Sequence, residues 1–116
     1  MQLDIKAKNI TLTEAIRAYV EAKVATFDAK VARFGTSVSC EVEVGMTTRH
    51  HKKGPIFRAE IHVRLPGNLV YAEAEDFNLY VALNEAKKEA ERQILAYKGL
   101  RAQKAKRGGG MARRRE

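Results

Sequence analysis

One cysteine, two prolines and no tryptophan stand in the whole chain, and no apolar run approaches the ~20 residues needed to span a bilayer. Each shortage excludes something. Cys40 alone makes neither an internal disulfide nor a multi-cysteine metal site, so stability has to come from packing, and a reducing compartment fits. The amino terminus MQLDIKAKN alternates apolar and polar residues and lacks the apolar stretch of a secretory signal, so a cytoplasmic protein is expected. Catalytic motifs are missing as well: the chain has no HExxH, CxxC, nucleophile elbow, Walker loop or dinucleotide glycine pattern. His50 and His51 are adjacent, which points them to opposite sides of an extended backbone, and no carboxylate cluster accompanies them. We expect no catalytic residue, cofactor, metal site, small-molecule substrate or membrane partner.

What remains suffices for one domain: 116 residues, of which 45% are hydrophobic and 31% charged. The net charge of +8 is unevenly placed. Residues 98–116 hold eight bases (Lys98, Arg101, Lys104, Lys106, Arg107, Arg113, Arg114 and Arg115) against one acid, which leaves 14 bases and 13 acids in residues 1–97. Such a tail is either a solubilising appendage or a contact for a polyanion. Any anion-binding face on the rest must arise by segregation of charge.

Leu3, Ile5 and Ala7 alternate with polar neighbours, the period of a half-buried strand. Thr11 precedes Glu14 by three, a capping box that starts a helix with Ile16, Val20, Val24, Phe27, Val31 and Phe34 along one stripe. Gly35 ends it. Alternation returns over Val38, Cys40, Val42, Val44 and Met46, and again over Phe57, Ala59, Ile61, Val63 and Leu65; between them TTRHHKKGP reads as a protruding basic loop. After the turn at Pro66, Gly67 and Asn68 comes a short strand with Val70, Ala72 and Ala74 inward. Asp76 or Asn78 caps a second helix with Leu79, Leu83, Ala86, Ala90, Ile94 and Tyr97 on its stripe. The expected fold is α+β: a two-layer β-α-β-β-β-α sandwich, its four-stranded sheet covered on one face by two helices. Strands one and two should be parallel, and strands two to four an antiparallel meander. Residues 1–98 form the domain. Residues 99–116, interrupted by Gly108, Gly109 and Gly110, are expected to be a basic tail that is disordered when unbound.

Opposite the apolar stripes, the first helix presents Arg17, Lys23 and Lys30 and the second presents Lys87, Lys88 and Arg92, continuing into Lys98 and Arg101. Two such faces, with Lys8 at the end of strand one, can make a basic groove for phosphates of structured RNA. Alternatively, these are solvated faces paired with Glu21, Glu85, Glu89 and Glu91. Exposed aromatics are few, Tyr71 and Tyr80, which disfavours a platform for stacking single-stranded bases. Arg49, Lys52 and Lys53 in the basic loop are further candidate RNA contacts. A general double-stranded RNA-binding module and a protein-interaction adaptor using the charged outer sheet face remain alternatives.

KNITLTEAIRAYVEAKV at 8–24, HKKGPIFRAEIHVRLPG at 51–67 and AEAEDFNLYVALNEAKKEAERQILAYK at 72–98 resemble, in this order, the ribosome hibernation promoting factor family, also called the sigma-54 modulation or ribosome-associated inhibitor family. Its signature near the second helix, Asp-Met-Tyr-Ala-Ala-Ile-Asp followed by Leu-Glu-Arg-Gln-Leu, stands here as Asn78 to Asn84 and Ala90 to Ile94. The resemblance implies the same β-α-β-β-β-α fold. It also implies binding to the small ribosomal subunit and the 70S ribosome, on 16S ribosomal RNA in the channel of messenger RNA and of A-site and P-site transfer RNA, with steric inhibition of translation. The family's basic positions carry over to Lys8, Arg17, Lys23 and Arg92, which should then share one docking side. Where the family often has a basic residue, this chain has Glu89 and Ala96; Lys87, Lys88, Lys98 and the tail are expected to restore that charge. Long members carry a further domain that pairs two ribosomes, and 116 residues leave no room for one, so a short form without self-driven ribosome dimerisation is expected.

Overall fold

A computed structural model describes residues 1–35, 37–51 and 54–113, with side chains for all of these except 48–51, 101 and 103–113. The elements follow in the order β1 (Gln2–Lys8), α1 (Glu14–Ala32), β2 (Ser39–His51), β3 (Gly54–Leu65), β4 (Asn68–Asp76) and α2 (Leu79–Arg113). The sheet order is β1-β2-β3-β4. β1 lies parallel to β2, with Leu3 beside Cys40 and Ile5 beside Val42, and β2, β3 and β4 are antiparallel. This is the expected sandwich.

Its core is one-sided. Val42, Val44, Ala59, Ile61, Val63, Val70 and Ala72 face the helices and are buried beneath Val20, Val24, Phe27 and Val31 of α1 and Leu83, Ala86, Ala90 and Ile94 of α2. Most inward strand residues are small or β-branched, and the ring of Phe27 packed over them is left with no exposure. Cys40 belongs to this core at 2% exposure, and burial pushes its thiol up to about 12. It packs as a small hydrophobe.

The ends of the elements position the candidate site. Helix α1 is capped by Thr13 rather than Thr11: Thr13 is extended, and its hydroxyl accepts from the Ile16 N–H at 3.1 Å. The spacing of three from cap to N3 is met, but at N3 stands Ile16, so no glutamate reciprocates. Asn9 turns the chain between β1 and α1 at a φ of 63°, a conformation asparagine tolerates, and its amide donates to the Met46 carbonyl. Gly35 follows α1 at a φ of 113°. At the start of α2, the Asn78 side chain accepts from the N–H groups of Tyr80 and Val81, while Asp76 accepts from the N–H of Asn78.

Two expectations are corrected. The segment read as a basic loop is mostly strand, with His50 paired to Pro55 and His51 to Gly54. β1 stops at Lys8 opposite Gly45 and β4 stops at Asp76 opposite Phe57, so β2 and β3 run on past both neighbours as a two-stranded arm. Such pairing rests on backbone hydrogen bonds, and TTRHHKKGP carries no apolar alternation to betray it. Lys52 and Lys53 lie outside the described residues, as do the side chains of Arg49, His50, His51 and Arg101. The second correction is to α2, which runs on through Arg113 and across the three glycines. A helix already nucleated by packing adds one hydrogen bond per residue, and residues 100–107 are all good helix formers. Among the described residues, no helix is long and apolar enough to cross a membrane.

Candidate nucleic-acid interface

The two helices run side by side in the same direction. Tyr19 meets Tyr80 near their starts, edge to face with centroids 4.8 Å apart, and Lys30 meets Glu91 three turns further on at 3.4 Å. Between these contacts lies a groove whose polar groups come from both helices. Lys23 places its ammonium 5.0 Å from the Tyr19 ring centroid, and Lys87 pairs with Glu91 at 3.2 Å. The Thr26 hydroxyl approaches the same carboxylate at 3.2 Å. Partial burial pushes the Glu91 carboxyl up, but the hydrogen bond and charge of Lys87, the charge of Lys30 and the Thr26 hydroxyl outweigh it and hold the group below its ordinary range. One carboxylate therefore orders two amines, and with Lys23 the groove keeps an excess of positive charge.

Of the residues singled out by sequence, Lys23 and Lys87 meet here together with Lys30. Lys98 lies eleven residues beyond Lys87, about three turns along the same flank of α2. The others do not join them. Lys8 is on the outer face of the sheet, beside Glu43 and Gly45. Arg17 is six residues before Lys23, about 120° away around α1 at 3.6 residues per turn, on the flank turned from α2. Lys88, which pairs with Glu85 at 3.5 Å, and Arg92 both lie toward β4, in a shallow depression shared with Glu73 and Ala74. The expectation that Lys8, Arg17, Lys23 and Arg92 share one side is thus not met.

Arg92 is also engaged. Its guanidinium donates to both Glu89 oxygens, at 2.9 and 2.5 Å, and the Gln93 amide donates to the same carboxylate. Gln93 in turn pairs with both the N–H and the carbonyl of Tyr71 on the free edge of β4. These bonds, that from Arg92 foremost, hold the Glu89 carboxyl down at about 2. A depressed carboxylate is ionised throughout the neutral range, and its pair is lost only as pH falls toward that value. A phosphate must therefore compete with Glu89 for Arg92. We expect NMR titration of the Glu89 carboxyl carbon to show ionisation down to about 2 in the native chain, and a return toward roughly 4.3 in Arg92→Ala. An ordinary titration in the native chain would contradict the pairing.

The outer sheet face offers a polyanion little. Arg58 is held by Glu60 at 2.8 Å, by Glu75 at 3.3 Å and by Glu73, and Lys6 pairs with Glu41 at 3.0 Å. Both of these cations are already matched by carboxylates. Sequence reasoning missed the part played by Thr26 and Tyr19 in the groove, since neither carries charge. It also passed over Phe77, which is 49% exposed just before the α2 cap and belongs to no periodic stripe.

Residues 3–101 match the family model described as sigma 54 modulation protein / S30EA ribosomal protein. The chain is 33% identical over 100 residues to a ribosome hibernation promotion factor of Lactococcus lactis subsp. cremoris, covering 84% of this chain and 50% of that protein. It is 31% identical over 98 residues to one from Picosynechococcus sp., covering 84% and 49%. It thus spans about half the length of the curated relatives it matches. Among solved structures, the N-terminal domain of Thermus thermophilus Protein Y superposes with a TM-score of 0.65 at 32% identity, covering 84% of this chain and 99% of that domain. A ribosomal subunit interface protein from Coxiella burnetii shares the fold at 17% identity and the same TM-score, covering 85% and 99%.

Proposed function

The chain belongs to the sigma 54 modulation protein / S30EA ribosomal protein family, and from that premise we propose that it is a ribosome hibernation factor that binds 16S ribosomal RNA in the small-subunit channel of messenger and transfer RNA. Translation stops by occupancy. No bond is made or broken in this mechanism; affinity comes from amines and guanidinium groups against phosphates, which is strong at low salt and falls steeply as salt rises. The observation that carries the reading is the family match across nearly the whole body of the chain, to relatives named for ribosome hibernation.

The groove of Lys23, Lys30 and Lys87 supports it as a phosphate-binding seam. Lys8, Arg17, Lys88 and Arg92, on other sides of the body, fit a ligand that surrounds the protein, since a plug in a channel is touched on several sides. Arg49, Lys52, Lys53, Lys98 and Arg101 are proposed as further contacts. In this reading residues 1–98 are the ribosome-binding body and residues 99–116 a basic extension of it.

Cosedimentation with small subunits, large subunits and 70S ribosomes across a salt series tests the proposal. The chain should travel with small subunits and 70S ribosomes, leave them progressively as salt rises, and be displaced by messenger RNA with P-site transfer RNA. Travel with large subunits alone would sink the reading. Preferential displacement by long duplex RNA would favour a general double-stranded RNA-binding module instead.

A further inference from the structure

At the end of the sandwich where both helices begin, a shallow apolar depression opens beside the groove. Its floor is Ile16 and Leu79, at 9% and 7% exposure, and its rim includes Ile10, Phe57, Phe77 and Tyr80. Phe77 and Tyr80 keep 49% and 39% of their surface exposed, a large investment of aromatic area at a site where the core needs none. Tyr80 is fixed from behind by the edge of Tyr19, whose hydroxyl donates to the Tyr80 carbonyl at 3.3 Å. Tyr19 in turn carries the Lys23 ammonium. A cation, two aromatics packed edge to face and an open apolar floor therefore follow one another from the groove to the depression.

Resting on the RNA-binding reading above, we propose that this depression takes the base of an unstacked nucleotide, held against Phe77 and Tyr80, while the adjoining phosphate meets Lys23. The chemistry favours a nucleotide over an apolar side chain because the ligand must present an aromatic face and an anion within one helical turn of each other. Local charge agrees. The first turn of α2 contains no acid, and the Asp76 carboxylate before it is occupied by the Asn78 N–H. A stacking platform looked poor from the sequence because Phe77 precedes its helix and goes uncounted. The structure supplies the missing ring.

The test compares two short single-stranded RNAs of equal length and charge, one of uridines and one with abasic sites at its centre, bound to the full chain across a salt series. The base-bearing RNA should bind about ten-fold more tightly, the scale of one or two stacked bases. Phe77→Ala should abolish most of that preference and leave the salt slope unchanged, whereas Phe77→Tyr should retain it. Lys23→Ala should weaken both RNAs by the same factor and flatten the slope by about one phosphate's share. Thermal melts check folding, and Phe77→Leu, which keeps apolar cover without a ring, should behave as Phe77→Ala does. Equal affinity of the native chain for the two RNAs, or absence of binding to either at low salt, overturns the proposal. So does a preference that survives both Phe77→Ala and Tyr80→Ala, or a patch that instead drives self-association lost in Phe77→Ala. Ribosome binding without base preference removes the stacking site and leaves the hibernation reading standing; base preference without ribosome binding does the reverse.

Discussion

Phe27→Ala is expected to destabilise the chain by about 3–5 kcal/mol, enough to lower Tm by roughly 15–30 °C for a body of this size. Phe27 has no exposed surface, and it is the largest of the fully buried side chains. The buried cluster it belongs to is made mostly of valines and alanines, among them Val20, Val24 and Val31 on its own helix, short side chains that reach little way into the vacated space. The loss is therefore transfer energy with most of the cavity left open. Because ordinary domains are stable by only about 5–15 kcal/mol, the variant should lie near the edge of folding at physiological temperature. Function should follow the folded fraction, since Thr26, Lys23 and Lys30 ride on the same helix. Thermal and urea melts measure the effect; a loss below about 1 kcal/mol would mean that α1 does not pack on the sheet as described.

The fold was legible because its core is one-sided. Where a strand or helix has a single buried face, the period of its apolar residues reports the element directly, as with Val38 to Met46 and with the stripe from Leu79 to Tyr97. Legibility stopped where the apolar pattern stopped. The pairing beyond Gly45 and Phe57 runs through TTRHHKKGP, which carries no apolar alternation, and the run of α2 past Tyr97 is helix without a stripe. The candidate site was read less well for a related reason. Periodicity says which side of a helix is buried, but not what lies on either flank of that side. Arg17 and Lys23 flank the stripe on opposite sides, yet only the packing of α2 beside α1 turns Lys23 into the groove and Arg17 away. Likewise, Glu91 at helical spacing from Lys87 was readable as a pair, whereas Lys30, 61 residues distant, joins it through tertiary structure alone. Phe77 illustrates the limit most plainly: a residue before a cap has no period to belong to.

Removing residues 99–116 should weaken ribosome binding by about a hundred-fold or more at moderate salt, with a salt slope flatter by roughly 3–5, while the melting temperature stays nearly unchanged. The separation of the two effects follows from where the body ends. Among the described residues, Tyr97 is the last buried side chain of α2, 7% exposed, with its hydroxyl donating to the Pro66 carbonyl at 2.6 Å. Lys98, Gly99, Leu100 and Ala102 are all exposed. A chain ending at Lys98 thus keeps every buried side chain among the described residues and the whole four-stranded sheet. It loses seven bases and one acid, and its net charge falls from +8 to +2. If the groove and the extension both follow RNA phosphates, affinity at low salt reflects the sum of their contacts, and only the extension's share disappears on truncation. Cosedimentation of the full and shortened chains across the same salt series measures that share. Equal slopes would assign all phosphate contacts to residues 1–98. They would also reduce the extension to a source of solubility, because a polycation in contact with RNA cannot be removed without releasing its salt dependence.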